Sequence, residues 1–474
     1  MAKAAVAKKS NEVKDSKDAH DSISATVFPL GLTPFEKYFL WDDRVEQPLT
    51  PIVELRFATP LNVAALERAI AQTIARNPML NSTLIGSDRN LSWKLRDEPI
   101  RLLCPVSEPP MVEGRLRPFD LRIESGCRFW YEQRGAGSRV LWQVHHSTCD
   151  GIAMRVILID VLLHYAIETG GSDPSRYRAA LCYSRFDPRE LAKRYDFSHV
   201  SAAKRSLTAW QRLKNAHYFH FQSPKPLLSD RQARESSAVD NELLCHAQLD
   251  RAFSERILEK CQVESVRMSE LSMALLFRAC AEWNRGLGDR NAKSRLRLMM
   301  PYDLRGRNDL KMPATNRLSF VFLGRNYGQC DHLDALLKSV QEELVAIKET
   351  NLQLDLLHGL AAGVRWPKLM RWGLSRSNSM ATAVITYVGD VSRGMDRVFP
   401  DKECTRPIGD AVLTSIMGAP PVRRNTNISL GLCINWGQIN ISAAWNRQVM
   451  TGRECEKFLE LYKIGWQRWC DDEE

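Results

Sequence analysis

The chain of 474 residues carries 66 Lys+Arg against 56 Asp+Glu, a formal charge of +10. Its length predicts two to four units of ~100–200 residues, and 44% hydrophobic with 26% charged residues excludes a disordered or fibrous chain. A membrane helix of ~20 uninterrupted apolar residues is also excluded, since Arg278 and Glu282 interrupt the best candidate, Met273–Trp283.

In chain order, Met1–Ser24 mixes Ala, Ser, Asp and Lys without an apolar core, so residues 1–27 are predicted to be a disordered basic tail rather than a secretory leader. Ile52–Phe57 reads as a strand. Asn62 caps a helix whose Val63, Leu66, Ile70 and Ile74 share one face, ended by Pro78. In the strand Ser138–His146, Val140, Trp142, Val144 and His146 point one way and Leu141, Gln143 and His145 the other. Asp150-Gly151 then opens the apolar helix Ile152–Ala166, with a stripe of Ile159, Leu162 and Leu163. These elements form an N-terminal lobe, 28–169. Residues 170–237 are a basic helical connector, in which Arg176, Arg178, Arg185, Arg189, Lys193 and Arg194 alternate with Tyr177, Tyr183 and Tyr195; a solvated face is expected.

The C-terminal lobe, 238–474, starts with strand Glu242–Leu249 and helix Glu270–Trp283. Strands Leu296–Pro301 and Leu318–Leu323 follow, then helix Leu333–Ile347. Ile428–Ile434 and Gln438–Ala444 form a hairpin around Asn435-Trp436-Gly437, and Thr451–Glu454 is a capping box for the last helix. Strands and helices mixed in both halves predict an α/β chain of the α+β type, built as two lobes. The 12 cysteines contain no C-x-x-C pair, so reduced thiols, a cytoplasmic protein and no metal site are expected.

His145-His146-Ser147-Thr148-Cys149-Asp150-Gly151 is the segment that carries chemistry. Strand neighbours face opposite ways, so the two histidines have different jobs. His146, facing a cleft, has the side chain best suited to take a proton near neutral pH, while His145 points inward as support. Asp150 caps the following helix, whose positive end favours an uncharged His146, and Gly151 permits a close approach. The plainer alternative is a core histidine pair followed by an N-cap.

The segment resembles the HHxxxDG motif of the condensation-domain and chloramphenicol-acetyltransferase superfamily. The resemblance runs from about Pro29 to Trp469. Pro29-Leu30 through Glu36 is similar to that family's opening segment, and Arg76-Asn77-Pro78-Met79-Leu80 to its first helix end. Pro118-Phe119-Asp120-Leu121 with Gly126 and Arg128 resembles the approach to the catalytic strand. Met300-Pro301-Tyr302-Asp303-Leu304-Arg305 and Thr315-Asn316-Arg317-Leu318-Ser319 resemble its "vPvdlR…GNxxS" stretch. The resemblance implies two chloramphenicol-acetyltransferase-like lobes around a central channel. His146 would be the general base, acting on a hydroxyl or amine that attacks an acyl thioester. Asp150 would be structural and paired with an arginine, Arg305 first and Arg307 in reserve. His145 would orient, and Gly151 would leave room for the channel. Acyl-CoA or an acyl-carrier thioester would be co-substrate, with no permanently bound cofactor and an acidic carrier protein as a possible partner. The sequence departs from the pattern at Tyr387-Val388-Gly389, where the family often has Asn first, and at Thr315, where it often has Gly. It also lacks the additional motifs of wax ester synthases.

No P-loop, HExxH site, nucleophile elbow or nucleic-acid module is present. The alternative to an acyltransferase is a catalytically silent member of the superfamily serving as a binding or scaffold protein.

Overall fold

The computed structural model describes residues 26–88, 90–97, 107–112, 114–181, 185–200, 203–204, 208, 210–211, 222–230, 242–375, 379–393, 395–399 and 405–472. The tail expected over 1–27 lies outside them up to position 25, as do 182–184, 201–202, 205–207, 209, 212–221 and 231–237 of the expected connector.

Thr33 opens helix α1 (Pro34–Asp42) with a reciprocal cap: its hydroxyl accepts from the Glu36 N–H, and the Glu36 carboxylate accepts from the Thr33 N–H. Strand β1 (Ile52–Phe57) precedes helix α2 (Val63–Ala75), which Asn62 caps as predicted. Leu66, Ile70 and Ile74 are buried, whereas Val63 is 40% exposed because its first-turn side chain leans past the packed surface. Strands β2 (Cys127–Arg134) and β3 (Gly137–Val144) form a hairpin, followed by helices α3 (Gly151–Glu168) and α4 (Pro174–Ala180).

The second half begins with β4 (Cys245–Gln248), α5 (Arg251–Val263), α6 (Met268–Gly286), β5 (Arg295–Asp303) and β6 (Leu318–Asn326). Helices α7 (Leu333–Thr350), α8 (Asp355–Gly363) and α9 (Pro367–Ser375) lead to β7 (Ala383–Asp390), β8 (Arg406–Ile408) and β9 (Ala411–Ala419). The hairpin β10 (Ile428–Asn435) and β11 (Gln438–Trp445) and the helix α10 (Gly452–Cys470) complete it.

Two sheets organise these elements into two lobes. The first has the order β8-β9-β1-β3-β2 and is antiparallel throughout; the second has the order β6-β5-β7-β10-β11-β4, with β7 parallel to both neighbours. Val140, Trp142 and Val144 of β3 pack with α2 and α3, and Leu141 faces Ile52 and Trp130 on the other side, as the alternation predicts. The second sheet buries its face under α6, α7 and α10.

One connection was not foreseen. Strands β8 and β9 come from the second half of the chain yet belong to the first sheet, with Ala419 opposite Ile52 and Leu413 opposite Phe57. Where β9 meets β10, a Cβ on Gly431 would collide with the Gly418 carbonyl oxygen, so the paired glycines let two backbones touch. The predicted hairpin turn is present, with Trp436 at φ 50° and Gly437 at φ 80°, the mirror-image turn that suits twisted strands.

The expected solvated connector face is corrected at Arg194, which is 4% exposed. Its Nε donates to Glu36 Oε1 at 2.7 Å and its Nη2 to the Gly31 carbonyl at 2.6 Å. Glu36 is itself buried, and a buried carboxylate requires a cation beside it.

Candidate active site

Strand β3 ends at Val144, two residues before the predicted boundary, but the chain stays extended through both histidines. The His145 N–H donates to the Gly126 carbonyl and the His146 N–H to the Leu49 carbonyl, each at 2.9 Å. Asn316 Nδ2 donates to the His146 carbonyl at 2.8 Å, and Phe39 stacks on the His146 ring at 4.3 Å. His146 is thus held by backbone and ring contacts. Its Nδ1 is buried and has no hydrogen-bond partner among the described residues.

His145 points the other way, as predicted. Its Nδ1 accepts from the Ser147 N–H at 3.2 Å, which leaves the proton on Nε2, 3.5 Å from Asp43 Oδ2. Gly126 lies beneath it. A Cβ there would lie 2.7 Å from Thr148 Cγ2 and 3.2 Å from His145 Cβ. Gly126→Ala is therefore expected to destabilise the fold by about 1–3 kcal/mol through overpacking, read by denaturant unfolding. Unchanged stability would mean that the loop yields freely.

Asp150 is fully buried and caps α3, its Oδ1 accepting from the Ala153 N–H at 3.0 Å. Arg305 Nη2 sits 2.9 Å from both carboxylate oxygens and also donates to the Thr315 carbonyl at 3.0 Å. Oδ2 accepts in addition from the Arg317 N–H at 2.7 Å. Arg305 makes the pair, and Arg307 is exposed. Gly151 follows with an ordinary φ, and a Cβ on it would meet only Val388 Cγ1, at 3.7 Å. The backbone does not demand glycine there; the missing side chain leaves space beside the cavity.

That cavity, of about 140 Å³, lies between the two sheets. His146, Gly151 and Leu158 line it from the first lobe, Met299, Phe320 and Val384 from the second, and Tyr38 and Phe39 of α1 close one side. Most of its wall is apolar. Arg423 reaches the wall but is committed to Asp42, its Nη2 donating to Oδ1 at 2.9 Å and its Nε to Oδ2.

Burial lowers the His146 pKa from its ordinary 6.5 to about 4, against the opposing pull of the Asp150 charge. At neutral pH the ring is uncharged and able to accept a proton. Burial pushes the Cys149 thiol well above its usual range and Cys433 up to about 12, so neither supplies a thiolate nucleophile. His164 and His246 are likewise lowered to about 4 by burial. An unfolded chain binds protons at these histidines near pH 6.5, whereas the folded chain binds them only near 4. Stability is therefore fully present above about 6.5 and is lost as pH falls towards 4, by roughly 1.4 kcal/mol per unit per histidine. A melting temperature flat across that window would contradict the buried neutral state.

The structure brings His146, Gly151, Asp150 and Arg305 to one place and sets His145 behind them. Sequence reading missed the roles of Asn316, Phe39 and Asp43. Asn316 stood inside a quoted motif, but nothing local marked it as the group holding the His146 carbonyl.

No protein-family model matches the chain. A probable non-canonical nonribosomal peptide synthetase, CymA of Salinispora arenicola, is 29% identical over 171 residues, 35% of this chain and 2% of that protein. The chain therefore spans a small fraction of that relative's length. Among solved structures, the starter condensation domain of rhizomide synthetase RzmA, an arginine-to-alanine variant in complex with C8-CoA, is similar at TM-score 0.58 and 14% identity, covering 93% of this chain and 95% of that one. The X-domain from teicoplanin biosynthesis gives 0.55 and 16%, covering 94% and 96%. Polyketide synthase associated protein 5 from Mycobacterium tuberculosis gives 0.57 and 14%, covering 93% and 99%. At such identities the likeness establishes the fold, which is that of condensation domains.

Proposed function

We propose, from a condensation-domain fold with an uncharged histidine on the wall of its inter-lobe cavity, that this chain is an acyltransferase. It moves an acyl group from a thioester donor, coenzyme A or a carrier protein, to a hydroxyl or amine. The observation that carries this reading is the state of His146: a lowered pKa on a ring that lines the cavity, stacked on Phe39, with Nδ1 unpartnered among the described residues.

With Nδ1 enclosed, Nε2 is the ring nitrogen left for a substrate. It removes the acceptor proton as the acceptor lone pair attacks the thioester carbonyl carbon. The tetrahedral intermediate collapses, the C–S bond breaks, and the departing thiolate takes the proton back from the imidazolium. The products are an ester or amide and a free thiol, and His146 returns to its starting form. Asp150 has no part in proton transfer, because its oxygens are engaged by Arg305 and two backbone N–H groups. Its role is to hold the loop and the start of α3. The apolar wall supports a hydrophobic acyl or acceptor group. The bound C8-CoA of the rhizomide synthetase domain supports an acyl-CoA donor, and the net positive charge favours an anionic donor of either kind.

The test is thiol release from acyl-CoA of graded chain length in the presence of amine or alcohol acceptors, wild type against His146→Ala. Equal rates in two folded proteins would remove His146 from the mechanism. Absence of turnover with both coenzyme A and carrier-protein thioesters would favour the silent binding reading.

A further inference from the structure

Helix α9 and the residue just before it expose three large apolar side chains. Trp366, whose carbonyl accepts the first helical bond from Met370, is 69% exposed, Leu369 is 63% and Trp372 53%. Their i, i+3, i+6 spacing places them along one face. Met370 and Leu374 turn inward, partly buried, and pack against the cluster that contains Leu357, Leu360 and Phe35.

The setting is basic. Arg365 and Lys368 are exposed on the flanks, and the exposed Arg424 donates to the Ser375 carbonyl at the helix end, at 3.3 Å. No Asp or Glu occurs between Asp355 and Asp390. Asp88 reaches the helix from the first lobe and is matched by Arg371 at 2.8 Å.

We propose that α9 docks the protein on an anionic phospholipid surface. Trp366, Leu369 and Trp372 enter the interfacial layer, and Arg365, Lys368 and Arg424 face the lipid phosphates. Indole rings suit a boundary that is apolar below and polar above, and long basic side chains reach from such a helix to the headgroups. An acidic protein would answer the cations but leave two indoles and a leucine without an apolar counterpart. Among the described residues no helix is long and apolar enough to cross a membrane, so α9 lies on the surface rather than spanning it.

The helix is also close to the cavity. Arg371 lies 5.4 Å over the ring of Trp41 in α1, and α1 supplies Tyr38 and Phe39 to the cavity wall. Docking here brings lipid-dissolved chains within one helix of His146. The docking itself stands or falls independently of acyl transfer.

The test is co-sedimentation of the full chain with vesicles of phosphatidylcholine alone and of phosphatidylcholine containing phosphatidylglycerol. Binding is expected to the anionic vesicles and to weaken with salt. Replacing Trp366, Leu369 and Trp372 with serine together should lower the partition coefficient on the order of 100-fold. Arg365→Gln with Lys368→Gln should lower it roughly 30-fold. Circular dichroism of both variants should match wild type, since the replaced side chains are exposed. No binding to anionic vesicles, binding equal on neutral vesicles, or binding unchanged in either variant would overturn the proposal. So would binding of an acidic carrier protein that the serine variant loses while vesicles remain unbound, which would assign the face to a protein.

Discussion

His146→Ala is expected to slow thiol release from an acyl-CoA donor by about 10²–10⁴-fold, the usual worth of a positioned general base. Its effect on stability should be small by comparison. The ring already borders a cavity, so truncation enlarges an existing space rather than opening one in packed core. The change also removes a buried Nδ1 that has no partner among the described residues, which offsets the lost stacking on Phe39. A large fall in rate with an intact melting transition is therefore the expected pairing. In wild type, kcat/KM should fall on the acid side as pH approaches about 4, where His146 takes up its proton, rather than near the ordinary 6.5. Equal loss of activity and fold would instead make His146 a packing residue.

Asp150→Ala should have the largest effect on stability, about 2–4 kcal/mol, because it removes a fully buried carboxylate shared by several donors, even though Arg305 keeps Asp303 Oδ1 at 3.0 Å. Arg305 would lose both oxygens on which it converges, and the N–H groups of Ala153 and Arg317 would lose their acceptors in the same step. Asp150→Asn keeps an acceptor for the helix cap and should cost less. Arg305→Ala leaves the carboxylate two backbone donors, so the two alanine variants should not be equal, and a double-mutant cycle between them should show strong coupling. Denaturant unfolding decides this. An Asp150→Ala protein as stable as wild type would mean that water enters and replaces the pair.

The parts legible in sequence were those whose cause is local. Asn62 and Asp150 announce helix starts because a cap needs only its own next three residues. The alternation in β3 sorts His145 from His146 because neighbouring strand residues must face opposite ways. The match of Asp150 with Arg305 spans 155 positions and entered through resemblance, not through any local rule. Spacing could not reveal Arg423 with Asp42, 381 positions apart, or the burial of Arg194, since a basic residue reads as solvated until its carboxylate is located. The placement of β9 beside β1 was hidden for the same reason. A strand's pattern shows which face is apolar but not which edge it will join.

That placement sets the order in which the molecule can be completed during synthesis. When residues 52–144 have emerged from the ribosome, β1 can pair with β3 on one side, but its other edge stays bare until residues 411–419 arrive. An uncapped edge of this kind invites pairing with other chains. The nascent first lobe must therefore wait, exposed, while most of the second is made. The last strand to join it acts as a closing stitch, and cutting the chain at the connector would yield an unfinished sheet rather than two independent halves.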